Sequence, residues 1–265
     1  MSRANPGLRA EVKRTVTGRG FITKSGVARR SAMAGKAEIS TDRQWSAPQA
    51  VVIYPSVGRS CGLGPWARGL KRLEDVVGAV LALCLFALPM LLVALAIRLD
   101  SPGPVLFRQR RAGLRDAEFL LMKFRTMRHA SCAQQGCTQA TRDDPRLTRL
   151  GAFLRRSSLD ELPQLFNVLR GEMSLVGPRP HAPDTLAGGR RFPEVMPNYA
   201  ARHVVKPGIT GLAQVRGLRG ETRTEDALIR RVEADFEYIG SWSLGLDLLI
   251  LLRTAICVLR MKNAY

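Results

Sequence analysis

Between Val76 and Ile97 the chain carries no charged side chain and almost no polar one; Arg68, Lys71 and Arg72 precede this run, and Arg98, Arg108, Arg110 and Arg111 follow it. About 20 apolar residues in helical form reach across the hydrocarbon of a bilayer, so the run predicts a membrane helix. Cations at both ends conflict with a simple span, because Lys and Arg collect on the cytoplasmic side. A re-entrant helix, which enters and leaves through one face, resolves the conflict. Pro89 lies past the middle of the run, where its missing N–H and the clash of its ring with the preceding turn bend a helix. Proline kinks also occur in true spans; the symmetry of the flanking charge selects the re-entrant form.

The remaining length, within 265 residues, suits one folded unit with a tail better than two full domains. With 41 Lys and Arg against 22 Asp and Glu, the formal charge is +19, which predicts attraction to phosphate-rich surfaces, either nucleic acid or anionic lipid. A nucleic-acid binder would not need an uncharged membrane run, and no helix-turn-helix, zinc-finger or RNA-binding aromatic motif accompanies the charge. Five cysteines, an odd count without framework spacing, argue against a disulfide-stapled secreted fold. His129, Cys132 and Cys137 lack a fourth ligand and sit in a loop-like stretch, so no zinc is expected there.

Four pieces follow from the patterning. Residues 1–69 are basic, poor in acids and without sustained apolar periodicity, and read as a disordered extension, solvated or tethered to anionic lipid. Residues 76–97 form the membrane helix. In the third piece, Asp100 to Gln109 reads as a turn followed by a short strand and Phe119 to Phe124 as its partner, a small β-hairpin joined through Gly113. Pro145 to Arg156 reads as a basic amphipathic helix, its Leu147, Leu150, Phe153 and Leu154 facing either lipid or the core. The last piece, Trp242 to Leu259, is interrupted by Asp247 and Arg253 and is too charged for a second span. It lies in the interface, with Trp242 and Tyr265 at headgroup level, or packs as a core helix. The fold class expected is α+β, mainly helical, around a cytoplasmic catalytic core.

The chemistry concentrates in the run Arg155 to Leu169, where Asp160 and Glu161 stand side by side among cations. Flanking Lys and Arg would hold both acids ionised and also collect phosphate. A carboxylate so placed can attack phosphorus and carry the phosphoryl group as an acyl phosphate. Gly177-Pro178-Arg179-Pro180 makes a stiff loop that limits the freedom of Arg179. Lys206-Pro207-Gly208-Ile209-Thr210-Gly211 has glycines suited to a close backbone approach or to a tight turn before a strand.

Together with Lys123-Phe124-Arg125-Thr126-Met127, these motifs, in this order, resemble the bacterial sugar transferases, the monotopic polyprenyl-phosphate phosphoglycosyl transferases, over about residues 70–265. The resemblance implies a kinked re-entrant membrane helix and a catalytic part on the cytoplasmic face of the bacterial inner membrane. It implies transfer of a sugar-1-phosphate from a UDP-sugar to undecaprenyl phosphate, with release of UMP, as the first step of exopolysaccharide, capsule or O-antigen synthesis. Asp160 would be the nucleophile that forms the covalent phospho-sugar intermediate, and Glu161 would accept a proton or help place a metal. Arg155 and Arg179 match phosphate-binding arginines, with Lys123 and Arg125 as further substrate-binding candidates. Mg2+ is the expected cofactor, with Asp160 its protein ligand, because diphosphate and carboxylate oxygens are hard donors. Asp235, Tyr238 and Ser241-Trp242-Ser243 match a closing motif of structural character. Many relatives carry Ser-Gly-Arg after Val215, whereas Arg216-Gly217-Leu218-Arg219 stands here, which puts that loop's contacts in question.

The alternative is a catalytically idle, membrane-anchored assembly factor for polysaccharide synthesis. An intact Asp160-Glu161 pair argues against it. For the re-entrant helix, cysteines introduced at Ser60 and at Ser131 are expected to react with an impermeant thiol reagent from the cytoplasmic side only. Reaction from opposite sides would return the run to a true span.

Overall fold

A computed structural model of the protein describes residues 64–128, 144–183 and 185–259. Of the disordered extension expected over residues 1–69, residues 1–63 fall outside the described residues, as do the expectations of no zinc at His129, Cys132 and Cys137 and of Tyr265 at headgroup level; residues 65–69 are not disordered but already form the start of the first helix.

The described chain is mainly helical with short strands. Helix α1 (Pro65–Asp100) leads into strands β1 (Leu106–Ala112) and β2 (Glu118–Phe124), then helices α2 (Arg149–Ser157) and α3 (Gln164–Arg170). Strands β3 (Ser174–Val176), β4 (Leu186–Ala187) and β5 (Arg190–Arg191) precede the short helix α4 (Phe192–Val195). Strand β6 (Gly208–Thr210), the single turn α5 (Leu212–Val215) and helices α6 (Glu225–Ser241) and α7 (Leu244–Leu259) complete it.

Pro65 occupies the first turn of α1, where its missing N–H is one that the helix leaves unpaired anyway. From there α1 runs for 36 residues with Pro89 inside it, about 54 Å at the usual rise. It is long and apolar enough to cross a membrane, by length and composition, and Leu81, Leu85, Leu88 and Leu91 stand exposed along its middle. Towards its two ends other side chains meet the rest of the fold, although Trp66 and Leu99 stay exposed. At the start, Arg72 donates to the carbonyls of Val168 and Leu169 (2.6 and 2.7 Å) at the end of α3, where carbonyls lack helical partners. Lys71 meets Asp75 (3.2 Å), Glu74 (3.4 Å) and Asp247 of α7 (2.8 Å). The Asp75 carboxylate also accepts from the Ser174 hydroxyl and the Leu175 amide, and Asp247 accepts from the Tyr238 hydroxyl and the Trp242 indole. Asp247 is therefore a buried ion partner, and Trp242 is tied to it. At the other end, Ile97 packs with Phe124 and Leu154, and Arg125 clasps the exit from the helix. Its guanidinium donates to the carbonyls of Ile97 (3.2 Å), Ser101 (2.5 Å) and Pro102 (3.0 Å).

Strands β1 and β2 pair antiparallel from Leu106 opposite Phe124 to Ala112 opposite Glu118. Phe119 and Leu121 of β2 join Val168, Met173, Leu175 and Ile250 in the main core. Asn167 fastens α3 to this strand: its side-chain oxygen accepts from the Met122 amide (3.0 Å), and its nitrogen donates to the Leu120 carbonyl (2.8 Å) and Glu172 (2.6 Å). The amide side chain thus pairs with β2 much as a neighbouring strand would, which is why so polar a group is fully buried.

Helix α2 begins at Arg149, four residues later than the periodicity from Pro145 suggests. Thr148 caps it through the Gly151 amide (2.9 Å), while Asp144 folds the preceding residues into a turn by accepting from the Arg146 amide and guanidinium. Leu147 instead bridges to Met127. Of the apolar positions, Leu154 is fully buried and Phe153 is exposed, so the helix both packs and presents an apolar residue outward.

Strands β3 and β6 run parallel, Ser174 opposite Gly208 and Val176 opposite Thr210. The loops beyond them touch backbone to backbone, and a Cβ on Gly208 or Gly211 would overlap main-chain atoms of Gly177. The glycines of the Lys206 to Gly211 motif serve contact between these two chain segments. Gly151 is similarly tight, since a Cβ there would run into the Thr126 carbonyl. Substituting Gly151→Ala is expected to lower stability by about 2–4 kcal/mol through forced movement of α2, read as a lower melting temperature.

Candidate active site

Helix α2 ends when Ser158 takes a left-handed conformation (φ 59°), and the chain turns through a single 3-10 turn, Leu159–Glu161, before Pro163 leads into α3. The turn sets two successive carboxylates between two helices, where they face different partners. Glu161 receives Lys123 Nζ on Oε1 (2.7 Å) and the Arg179 guanidinium across both oxygens (2.5 and 3.2 Å). Asp160 is buried, and among the described residues no side chain hydrogen-bonds its carboxylate.

The cations around Asp160 act at longer range. Arg155 is held by the Thr126 hydroxyl, which accepts from its Nε (3.0 Å). Thus the Lys123 to Met127 motif supplies three separate services: Lys123 to Glu161, Arg125 to the end of α1, and Thr126 to Arg155. Lys123, Arg155, Arg179 and Glu161 come together at Asp160. Arg125 does not join them; a 5 % exposed guanidinium engaged with helix-end carbonyls has no face left for a substrate phosphate. Its place in the fold is the seating of α1, a role carried by carbonyl contacts and not by an ion pair.

The two acids also differ in proton affinity. Burial raises Asp160 to about 6, against the pull of Lys123, with Glu161 adding to the rise and Arg155 and Arg179 opposing it. Glu161, despite its own burial, is held well below the carboxylate range by Arg179 and Lys123. The cations therefore keep Glu161 ionised outright but do not overcome the desolvation of Asp160. A carboxylate as acidic as Glu161 is a poor proton acceptor, so the geometry favours it as an anchor for Arg179 and Lys123 over a general base.

Arg179 is fixed from behind as well. Arg202, on the 3-10 segment Tyr199–Val204, donates to the Arg179 carbonyl (2.7 Å), and its Nη2 lies 2.6 Å from Asp235 Oδ2 on α6. Asp235, read from the sequence as structural, pairs with the residue that holds the loop of Arg179. Arg219 contacts the Ser158 hydroxyl (3.2 Å) and feels the charges of Glu161, Arg179 and Asp160. The loop that departs from the usual Ser-Gly-Arg thus still brings an arginine to the dyad. The only sequence signal for it was that arginine itself, displaced by one residue; Arg202 and Thr126 had none beyond their presence in or near a motif.

A model of the bacterial sugar transferase family matches residues 66–261. This chain belongs to the bacterial sugar transferase family. Among its relatives, the UDP-glucose:undecaprenyl-phosphate glucose-1-phosphate transferase of Caulobacter vibrioides is 54% identical over 197 residues, 74% of this chain and 72% of that protein. The undecaprenyl-phosphate glucose phosphotransferase of Komagataeibacter xylinus is 52% identical over 203 residues, 77% of this chain but 38% of that protein. The UDP-glucose:undecaprenyl-phosphate glucose-1-phosphate transferase of Escherichia coli is 48% identical over 198 residues, 75% of this chain and 42% of that protein. The chain therefore matches less than half the length of the latter two relatives.

For this sugar transferase, the raised Asp160 has a measurable cost. A carboxyl whose proton affinity rises on folding favours the fold while protonated, and that contribution is lost as pH climbs through about 6. In metal-free buffer, Asp160→Asn, neutral at every pH, is expected to be more stable than wild type at pH 8 by on the order of 1–3 kcal/mol. The two melting temperatures should converge towards pH 4. A variant less stable than wild type at pH 8 would contradict this balance.

Proposed function

We propose that the chain transfers a sugar-1-phosphate from a UDP-sugar to undecaprenyl phosphate and releases UMP, with UDP-glucose the first donor to test because relatives near 50% identity bear that name. The observation that carries the reading is the contrast within the dyad: Glu161 is fully engaged by two cations, while Asp160 keeps an unpaired, partly desolvated carboxylate beside them. An oxygen of Asp160 attacks the sugar-linked phosphorus, and the bridging P–O bond breaks with its electrons on UMP. A phosphate oxygen of the lipid then attacks the same phosphorus and restores the free aspartate. Neither displacement requires Glu161 to take a proton; its work is to hold Lys123 and Arg179 where negative charge accumulates.

No group of three or more Asp, Glu, His or Cys side chains suited to an ion occurs among the described residues. That donor set fits Mg2+ only in the manner in which this ion commonly binds nucleotides, through one carboxylate plus substrate phosphates and water, and Asp160 is the carboxylate with free oxygens. When bound, the ion would neutralise diphosphate charge.

The docking of both ends of α1 on one polar body supports the re-entrant arrangement. Lys71, Arg72 and Asp75 at one end, and Ile97 and Ser101 at the other, contact the same folded unit. Were the apolar middle to cross the bilayer, that unit would have to reach both aqueous sides at once. A bend at Pro89 lets the middle dip into the lipid and return, with the catalytic part at the cytoplasmic surface of the inner membrane. Exposed Leu248, Leu249, Leu252 and Ile256 on α7 and Phe153 on α2 give further apolar surface for the interface. There the chain would begin an exopolysaccharide, a role in keeping with the relative named for exopolysaccharide production in Rhizobium leguminosarum, 48% identical over 187 residues.

Membranes containing the wild type, given undecaprenyl phosphate, Mg2+ and UDP-glucose, are expected to release UMP. Asp160→Asn should reduce release by at least about a thousandfold, on the scale of a lost nucleophile, and EDTA should abolish it. Folded, membrane-bound wild type that releases no UMP from any of a panel of UDP-sugars would favour the idle assembly factor.

A further inference from the structure

The cluster behind Arg179 contains a cation whose partners do not account for it. Arg231, on α6, is 5 % exposed. Its Nη2 donates to the Gly220 carbonyl (3.0 Å), its Nη1 stands 3.2 Å from His181 Nε2, and its buried Nε has no hydrogen-bond partner. The neighbouring carboxylate, Asp235, is engaged by Arg202 at 2.6 Å. Burial lowers Arg231 to about 10, which leaves it charged at neutral pH.

The contact with His181 is not a satisfied one. Burial, reinforced by Arg202 and Arg231, holds His181 well below its usual range, so its ring is neutral. Its Nδ1 lies 2.6 Å from Arg202 Nη1 and 2.8 Å from the Tyr199 hydroxyl, while Nε2 faces Arg231, and a neutral ring can accept from Arg202 or from Arg231 but not from both. A buried guanidinium with one carbonyl bond, an orphaned Nε and a ring acceptor for which Arg202 competes is costly to keep unless an anion completes it. Arg231 also feels the charge of Arg179 most strongly after burial, whereas Arg219 feels Asp160 and Glu161 as well. Through His181 and Arg202, Arg231 is linked by contacts to the Arg179 carbonyl, behind the dyad. Six cations of this region, Lys123, Arg155, Arg179, Arg202, Arg219 and Arg231, face three carboxylates, Asp160, Glu161 and Asp235.

We propose that Arg231 is an anion receptor for the nucleotide-side phosphate of the donor, the phosphate that departs as the nucleoside monophosphate. This rests on the transferase reading above. When the bridging bond breaks, the electron pair and the new negative charge settle on that phosphate. A guanidinium there binds the product dianion more strongly than the diester it replaces.

The test compares the full-length wild type, Arg231→Lys and Arg231→Gln in lipid nanodiscs. Calorimetry gives the affinity for UDP and UMP, and kinetics give KM for UDP-glucose and for undecaprenyl phosphate. Arg231→Gln should bind UDP and UMP at least tenfold more weakly, leave KM for the lipid unchanged, and melt, without ligand, no lower than wild type. Arg231→Lys, with charge but no fork, should fall between. Unchanged UDP affinity in both variants overturns the inference, as does a loss confined to the KM for the lipid, which would assign the site to the acceptor phosphate. Should Arg231→Gln fail to fold, Arg231→Lys decides: wild-type affinity for UDP there overturns the proposal, and a weakened one supports it. Wild type that binds neither nucleotide overturns the transferase reading and this inference together, whereas nucleotide binding equal in wild type and variants overturns this inference alone.

Discussion

The double ion pair at Glu161 is the junction at which β2, the loop after β3 and the turn between α2 and α3 meet. Lys123 arrives from the strand and Arg179 from the loop, both on one carboxylate. Because Glu161 takes these two cations in short contact, its neighbour Asp160 experiences them as a field and not as partners. The result is a carboxylate that is stabilised enough to ionise near neutral pH yet retains unengaged oxygens. Two like acids one residue apart acquire opposite characters through geometry alone, a division of labour that suits a nucleophile next to its own electrostatic scaffold.

Such an arrangement leaves charge buried without local balance, and the surplus is concentrated on one side of the dyad. Arg202 meets Asp235 at 2.6 Å, whereas Arg231 is drawn to the same carboxylate only at longer range, and Arg219 hydrogen-bonds a hydroxyl. Buried guanidinium groups rarely add stability when unpaired. Their placement makes sense for a site that is completed by polyanionic substrate, with a diphosphate entering and a monophosphate leaving. Stability and function pull in opposite directions here, at Asp160 as at Arg231.

How much of this was legible beforehand depended on whether the interacting residues were close in sequence. Asp160, Glu161, Lys123 and Arg179 stand within dense motifs, and their grouping was expected. The paired strands were readable from the turn residues before the first and from Gly113 between them, and the apolar helix from its lack of charge. What escaped was set by contacts across long stretches of chain. Arg125 sits in the same motif as Lys123 and differs from it only in facing the end of α1. Asp247 looked like a flaw in an apolar helix, when it is the buried partner of Lys71, far away in sequence. Arg202, Asp235, His181 and Arg231 come from three separate segments, and no local periodicity marks a polar cluster of that kind. The start of α2 was misplaced because apolar spacing continues through Leu147, whereas the Thr148 cap and the Asp144 turn decide the boundary.

The Lys123 to Met127 segment also ties the dyad to the end of the apolar helix. Lys123 reaches the dyad, Arg125 holds the carbonyl end of α1, and Thr126 positions Arg155, all within four residues. A rigid strand end therefore sets the height of the nucleophile relative to the point at which the apolar helix leaves the folded body. In the proposed reaction, which joins a water-soluble donor to a lipid-borne phosphate, that height would be a catalytic parameter. Set too deep, the carboxylate would be closed to the nucleotide; set too far out, the lipid phosphate would have to leave its headgroup plane to reach it. On that proposal Arg125 would contribute indirectly, its contacts with the carbonyls at the end of α1 fixing where the dyad sits relative to the apolar helix.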